Sequence, residues 1–289
     1  MPNNSKIFVI YHKSEKPLKS NVYQPIAVGP NKSDFSEDFL RDDVGENIAE
    51  KNDKYNELTA IYWVFKHIDE FKDVEYFGFD HYRRLFCFNH LNETVFVRKE
   101  IKENLIEVSD EKLNLFFRDY DFVCPAPSFY RSVRKHYQKS HNKEDLDALL
   151  TAIKNVAPEF EKDAKEYFDN SREFLYNMFI FKKSDFAKYC SFVFPVLEEF
   201  LKLKSDVQRL YVSERLTGIY ISHLLNEGKS GLFLPVLHVR SKSLKIANKQ
   251  VKENFKLNKD RGLFYKLKPI ILCFLPRWVE QYFRRLKTR

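Results

Sequence analysis

The chain has 289 residues, 44% of them hydrophobic and 16% aromatic, with 28 phenylalanines and seven glycines. That composition supports a folded protein with a sizeable core and excludes a disordered chain. The few glycines form neither a GxGxxG nor a Walker pattern, which argues against a glycine-rich phosphate loop.

The net charge of +8 is unevenly spread. Residues 240–289 hold 15 Lys and Arg against three acids, a balance of +12, which leaves 34 basic and 38 acidic residues, a balance of −4, in residues 1–239. Basicity therefore belongs to the tail and points to an attachment segment for an anionic surface. The four cysteines (Cys87, Cys124, Cys190 and Cys273) are far apart and form no CxxC, so a reducing cytoplasm is expected rather than a zinc site or disulfide framework. The first residues lack the pattern of a signal peptide. No apolar run approaches the roughly 20 residues of a spanning helix.

In chain order, Ile7–Tyr11 reads as a first strand and Gln24–Val28 as a second, before Gly29-Pro30; 31–45 is polar and expected to be loop. Over Tyr55–Phe71 the apolar residues Leu58, Ile61, Tyr62, Val64, Phe65 and Ile68 recur at helical spacing. Val74–Phe79 is a short apolar strand that stops at Asp80, His81, Tyr82, Arg83 and Arg84. Asp119–Pro125 is a further strand, ended by Pro125 and Pro127. Helices are expected over Asp145–Val156, Glu159–Phe168, Ser184–Lys202 and Ser213–Leu225, with a strand at Leu175–Phe181. Strands alternating with helices favour an α/β layered domain with a mainly parallel sheet over residues 1–239.

In such sheets ligands bind at the strand ends, because helices cover both faces. A carboxylate, an imidazole, a phenol and two guanidiniums at the end of one strand are equipped to hold an anion and move a proton; a solvated turn would read the same way. Asp80-His81-Tyr82 superficially resembles a DxD metal motif, but Tyr82 is a poor ligand for Mg²⁺. The stretch from Asn47 through Asn52, Asp53, Tyr55 and Glu57 opens the first long helix. It is either a simple cap or an amide-rich helix start suited to a diphosphate. His12 follows the first strand, where a nucleotide's base and ribose commonly sit. His141 and Asp145 are four apart, hence on one face if a helix has begun, and would form a base with an orienting carboxylate or a helix-start ion pair. Asn177 opens a strand, where its amide is either ladder-satisfied or poised toward a sugar hydroxyl. Glu214 and Arg215 start a helix, with Arg215 a candidate bidentate phosphate clamp or a partner of Glu214.

Residues 262–289 interleave Trp278, Phe264, Phe274, Leu263 and other apolar residues with Lys and Arg. This suits the headgroup layer of an acidic bilayer, with packing on the main domain as the alternative; nucleic acid is disfavoured for want of a recognition module.

Taken in order, YHK, PIAVG, ENIAEKNDKYNELTAIYWVFKH, YFGFDHYRRLF, DYDFVCPAP, NMFIFKKSDFAKYC and ERLTGIYISHLL resemble the bacterial capsular and exopolysaccharide glycosyltransferases catalogued as a domain of unknown function. That family includes galactofuranosyltransferase domains of O-antigen synthesis. The resemblance covers roughly residues 6–230. It implies a GT-A-like glycosyltransferase domain, assigned to residues 1–239; the basic tail over 240–289, which lies outside the resemblance, is read from its composition as a membrane-surface attachment. The resemblance also implies transfer of galactofuranose or another hexose from a UDP-sugar to a lipid-linked glycan at the cytoplasmic face of the membrane, expected to be inverting. Pocket residues carried over from the resemblance are His12, Asn47, Asn52, Tyr55, Glu57, His81, Arg83, Arg84, Asn177 and Arg215. Asp80, where many relatives have a small or thiol residue, is the first choice of catalytic base and the one candidate ligand for a Mg²⁺ or Mn²⁺ ion; His141 with Asp145 is the second choice of base. His223 stands where many relatives have Glu. A non-enzymatic membrane adaptor and a retaining transferase are the alternatives.

Overall fold

The run Ile7–Tyr11 is buried along its whole length, as a strand must be when helices cover both faces of a parallel sheet. The computed structural model describes residues 4–30, 32–89, 95–98 and 103–239. In chain order its strands are β1 (Asn4–Tyr11), β2 (Tyr23–Ala27), β3 (Leu40–Arg41), β4 (Val74–His81), β5 (Arg84–Phe86) and β6 (Val95–Arg98). They continue with β7 (Phe122–Pro125), β8 (Ser128–Phe129), β9 (Arg172–Glu173), β10 (Phe179–Lys182), β11 (Gly231–Leu234) and β12 (Val236–Val239). The helices are α1 (Asn52–Tyr55), α2 (Leu58–Lys66), α3 (Glu103–Ile106), α4 (Asp110–Asp119) and α5 (Val133–Tyr137). Then follow α6 (Lys143–Val156), α7 (Glu161–Asp169), α8 (Lys183–Leu203) and α9 (Ser213–Asn226).

The chain divides into two units. The first, from residues up to Tyr82 and from Val108 to Leu234, contains a sheet in the order β11-β7-β10-β4-β1-β2-β3. Every neighbour pair along it is parallel except the two made by β10, which runs against both β4 and β7. The expected α/β class with a mixed, mainly parallel sheet flanked by helices is therefore the observed one. The second unit holds Arg83–Glu107 and the segment that starts at Pro235; in it β12 pairs antiparallel with β5 and parallel with β6. The tail from residue 240, read as a membrane attachment, lies outside the described residues.

Side chains alternate along β4, and the two faces pack against different helices. Phe77 and Phe79 stack with Phe8 of β1 and Phe186 of α8, while Tyr76 stacks face to face on Phe117 of α4 at 3.6 Å. Gly78 has no side chain because one would meet Ile7 and Ile180, each 3.0 Å away.

Two expectations need correction. Helical periodicity over Tyr55–Phe71 hides a break: Asn56 adopts φ 51° and ψ −125°, so α1 ends there and α2 restarts at Leu58. The strand expected to begin at Leu175 starts only at Phe179, because Tyr176 takes φ 71° and turns the chain first. The polar stretch 31–45 also holds the short strand β3, which pairs with the end of β2.

Gly218 lies in the interior of α9, where a Cβ would overlap the phenol of Tyr167. That close approach lets the Tyr167 hydroxyl accept from the Phe174 amide at 3.3 Å and donate to the Phe174 carbonyl at 3.4 Å, so the chain just after β9 is pinned to α7. Gly218→Ala should lower stability by about 1–3 kcal/mol through overpacking despite its better helix propensity. Urea denaturation would check this, and a stabilised variant would contradict the packing account.

Candidate active site

Because β1, β2 and β4 run parallel, their carboxyl ends share one edge of the sheet: Ile10 pairs with His81 and with Ile26, and Tyr11 with Ala27. β10 runs the other way, so its entry meets that edge. Asn177 stands two residues ahead of β10, at that entry. His12, His81 and Asn177, each read from the sequence as a ligand group, are thus gathered where such sheets bind ligands.

Asn177 is fully buried. Its amide nitrogen donates to Glu57 Oε1 at 2.7 Å and Ser213 Oγ at 3.1 Å, and its oxygen accepts from Thr217 Oγ1 at 2.7 Å. Thr217 in turn meets the Tyr189 hydroxyl at 2.8 Å. The residues just before Glu57 and Asn177 are Asn56 and Tyr176, the two non-glycine residues with positive φ among those described. Left-handed backbone strains a bulky side chain such as tyrosine, and such strain collects at functional sites. Here two strained turns, 120 residues apart in sequence, present the carboxylate and amide that bond each other.

Beside this pair, Asn52 donates to the Asn56 carbonyl at 2.7 Å and to Thr59 Oγ1 at 2.9 Å. Its amide oxygen faces Gly29 (φ 92°), at 3.5 Å from where a Cβ would stand, so the turn after β2 passes close over it. Asn47 accepts from the Ala49 amide and donates to the Gly45 carbonyl, capping the turn ahead of α1. Tyr55 is buried, and burial pushes its phenol up to about 12. α1 is a single turn, so the aligned dipole expected at Asn52 belongs instead to α2, which starts at Leu58. On the other side, the Tyr82 hydroxyl meets His12 Nε2 at 3.2 Å, and Tyr82 stacks on Tyr11.

Arg215 is not the open phosphate clamp expected of it. It is 5% exposed, with Nη2 donating to Glu173 Oε1 at 2.8 Å and Nη1 to Glu214 Oε2 at 3.2 Å. Burial disfavours its charge, but Glu214 and Glu173 outweigh that and raise its pKa. Its guanidinium also lies over Tyr137 at 5.1 Å. The other oxygen of the fully buried Glu173 carboxylate is 2.5 Å from His136 Nδ1, and the His136 ring stacks on Tyr130 at 3.6 Å.

Two further expectations change. His141 precedes α6, which begins at Lys143, and does not pair with Asp145. Asp145 accepts from the Tyr137 hydroxyl at 3.2 Å and lies 3.9 Å from Lys204 Nζ, whereas His141 packs between the rings of Tyr137 and Tyr211. Asp80 is fully buried and, by strand alternation, lies on the α4 face with Tyr76, opposite His81. Among the described residues no three His, Cys, Asp or Glu side chains gather to hold a metal ion. Asp80, with no exposure to solvent, is not open to an acceptor hydroxyl in this structure. Arg83 and Arg84 belong to the second unit, Arg84 opening β5 and the Arg83 carbonyl accepting from the Val239 amide at 2.9 Å. The pairing of His136 with Glu173 escaped sequence reading; its one signal was the placement of His136 in a cationic helix start.

Arg215→Met should cost about 3–5 kcal/mol, because it leaves Glu173 as a buried carboxylate facing only His136. A denaturation midpoint close to wild type would contradict that. Burial, followed by the charge of Arg215, lowers the His141 pKa. As pH falls through about 6.5, the unfolded chain takes up a proton there that the folded chain resists, so stability falls with pH. His141→Gln should therefore lose less stability than wild type between about pH 7 and pH 5; parallel melting curves would contradict the linkage.

Residues 6–227 match the family model described as a domain of unknown function, DUF4422. Among solved structures the chain is similar to the apo form of WbbM, a bifunctional glycosyltransferase, with 26% identity and a TM-score of 0.73. The match covers 82% of this chain and 45% of that one, so the present chain corresponds to less than half of WbbM. No curated protein matches it. With three quarters of its length inside the family model, the chain belongs to the DUF4422 family.

Proposed function

We propose that the chain is a glycosyltransferase that takes a hexose from a UDP-sugar and passes it to a hydroxyl of a glycan acceptor. The observation that carries this is the strained Glu57–Asn177 pair at the carboxyl edge of the sheet, with Asn52, His12 and His81 around it. This arrangement occurs in a fold that the chain shares with a known glycosyltransferase. Amides and imidazoles suit the ribose, base and sugar hydroxyls of a nucleotide-sugar, each an array of donors and acceptors.

The finer reading is an inverting transfer of galactofuranose or another hexose to a lipid-linked capsular, exopolysaccharide or O-antigen precursor at the inner membrane face. Its support is the motif resemblance and the +12 balance of residues 240–289, suited to acidic headgroups. No helix among the described residues is long and apolar enough to cross a membrane.

A ligand that binds only the folded state raises stability by RT ln(1 + [L]/Kd), about 2.7 kcal/mol at 100 times Kd. UDP or a UDP-sugar, tried with and without Mn²⁺, should therefore raise the melting temperature by several degrees, and Asn52→Ala should shrink that rise. If no nucleoside diphosphate or nucleotide-sugar moved the transition, the proposal would fail.

A further inference from the structure

Within the inverting-transferase reading, on which this step rests, a base must take the proton of the acceptor hydroxyl. Asp80 is buried on the α4 face, and His141 packs against the rings of Tyr137 and Tyr211 with no ion pair to a carboxylate among the described residues. The structure offers another imidazole. His136 places Nδ1 2.5 Å from Glu173 Oε2. Glu173 has no exposure to water, and Arg215 Nη2 donates to its other oxygen. Tyr130 stacks on the ring and fixes its plane. No described residue occupies His136 Nε2, and the side chain is 29% exposed. The cluster belongs to the same sheet edge: β7 and β4 both run against β10, so the chain that leaves β7 toward α5 and the chain that enters β10 after Glu173 start from the edge where Asn177 stands.

We infer that His136, oriented by the buried Glu173 carboxylate, is the catalytic base that deprotonates the acceptor hydroxyl. The acceptor oxygen bonds the anomeric carbon as its proton passes to His136 Nε2. The bond from that carbon to the diphosphate oxygen breaks, and its electron pair leaves with the nucleotide. Glu173 stabilises the imidazolium so formed, and solvent then takes the proton. The charged and titratable groups around His136 are Glu173 on β9, Arg215 and Glu214 on α9, His141, and Arg134 and Lys135 on its own helix.

The test uses the full chain, the nucleotide-sugar that stabilises it most, and a panel of n-octyl hexosides as acceptors. His136→Gln should keep the wild-type melting shift with UDP while kcat falls about 10²–10⁴-fold at nearly unchanged donor KM. The acid limb of the pH–rate profile should disappear, and imidazole should partly rescue His136→Ala. In wild type, ¹⁵N spectra should show neutral His136 protonated on Nδ1. Turnover by His136→Gln within about threefold of wild type, or an Nε2-protonated neutral ring, would overturn the assignment and leave the transferase reading standing. A wild-type chain that neither binds a nucleoside diphosphate nor transfers a sugar would remove both.

Discussion

Arg215 carries a charge that this fold keeps almost wholly out of water, and the arrangement of the surrounding site follows from compensating it. Ionic groups are costly to bury, so both edges of the guanidinium must meet carboxylates. Glu214 comes from its own helix, but Glu173 comes from the two-residue strand β9, 42 positions earlier. Meeting Arg215 fixes that strand against α9. Glu173 then has a second oxygen to satisfy, and His136 of α5 supplies the partner. One buried cation thereby sets the positions of β9, α5 and α9 and aims an imidazole outward. A well-packed apolar substitute for the whole set could be as stable, since buried ion pairs add little net free energy. What the ions contribute is a single defined geometry.

The Glu57–Asn177 pair is constrained differently. It has no charge to compensate on both sides, yet the backbone before each partner sits in a left-handed conformation that a tyrosine resists. Each such residue costs on the order of 1–3 kcal/mol, borne by the surrounding hydrogen bonds to Ser213, Thr217 and Tyr189. Those bonds reach into α8 and α9, the helices that pack most of the aromatic core. The rigidity of the phenylalanine-rich interior is therefore what allows strained turns to persist at the sheet edge.

Much of this was legible in the sequence for local reasons. The apolar run ending in Asp80-His81 announces a buried strand with a polar end, and α8 and α9 follow from helical periodicity. The helix break at Asn56 was invisible because periodicity continues across it and asparagine tolerates positive φ without a glycine to mark it. α4 went unassigned, although a serine cap at Ser109 marks its start. Site partners were hidden for another reason. Asn177 meets a residue 120 positions away, Arg215 one 42 away, and nothing in the spacing of either names its partner. Conversely, His141 and Asp145 had the right spacing, but the helix that would have aligned them starts two residues too late.

The second unit is built from two stretches far apart in the chain: β5 is joined edge to edge with β12, some 150 residues later by chain order, and Val239 closes onto Arg83. During synthesis β5 must wait, without that partner strand, until nearly all of the first unit has emerged, which makes its closure a late, high-contact-order event. Shortened forms of the protein are constrained in the same way. A boundary placed at residue 234 would strip β5 and β6 of the strand between them, whereas one placed after Val239 keeps the three-stranded ladder whole.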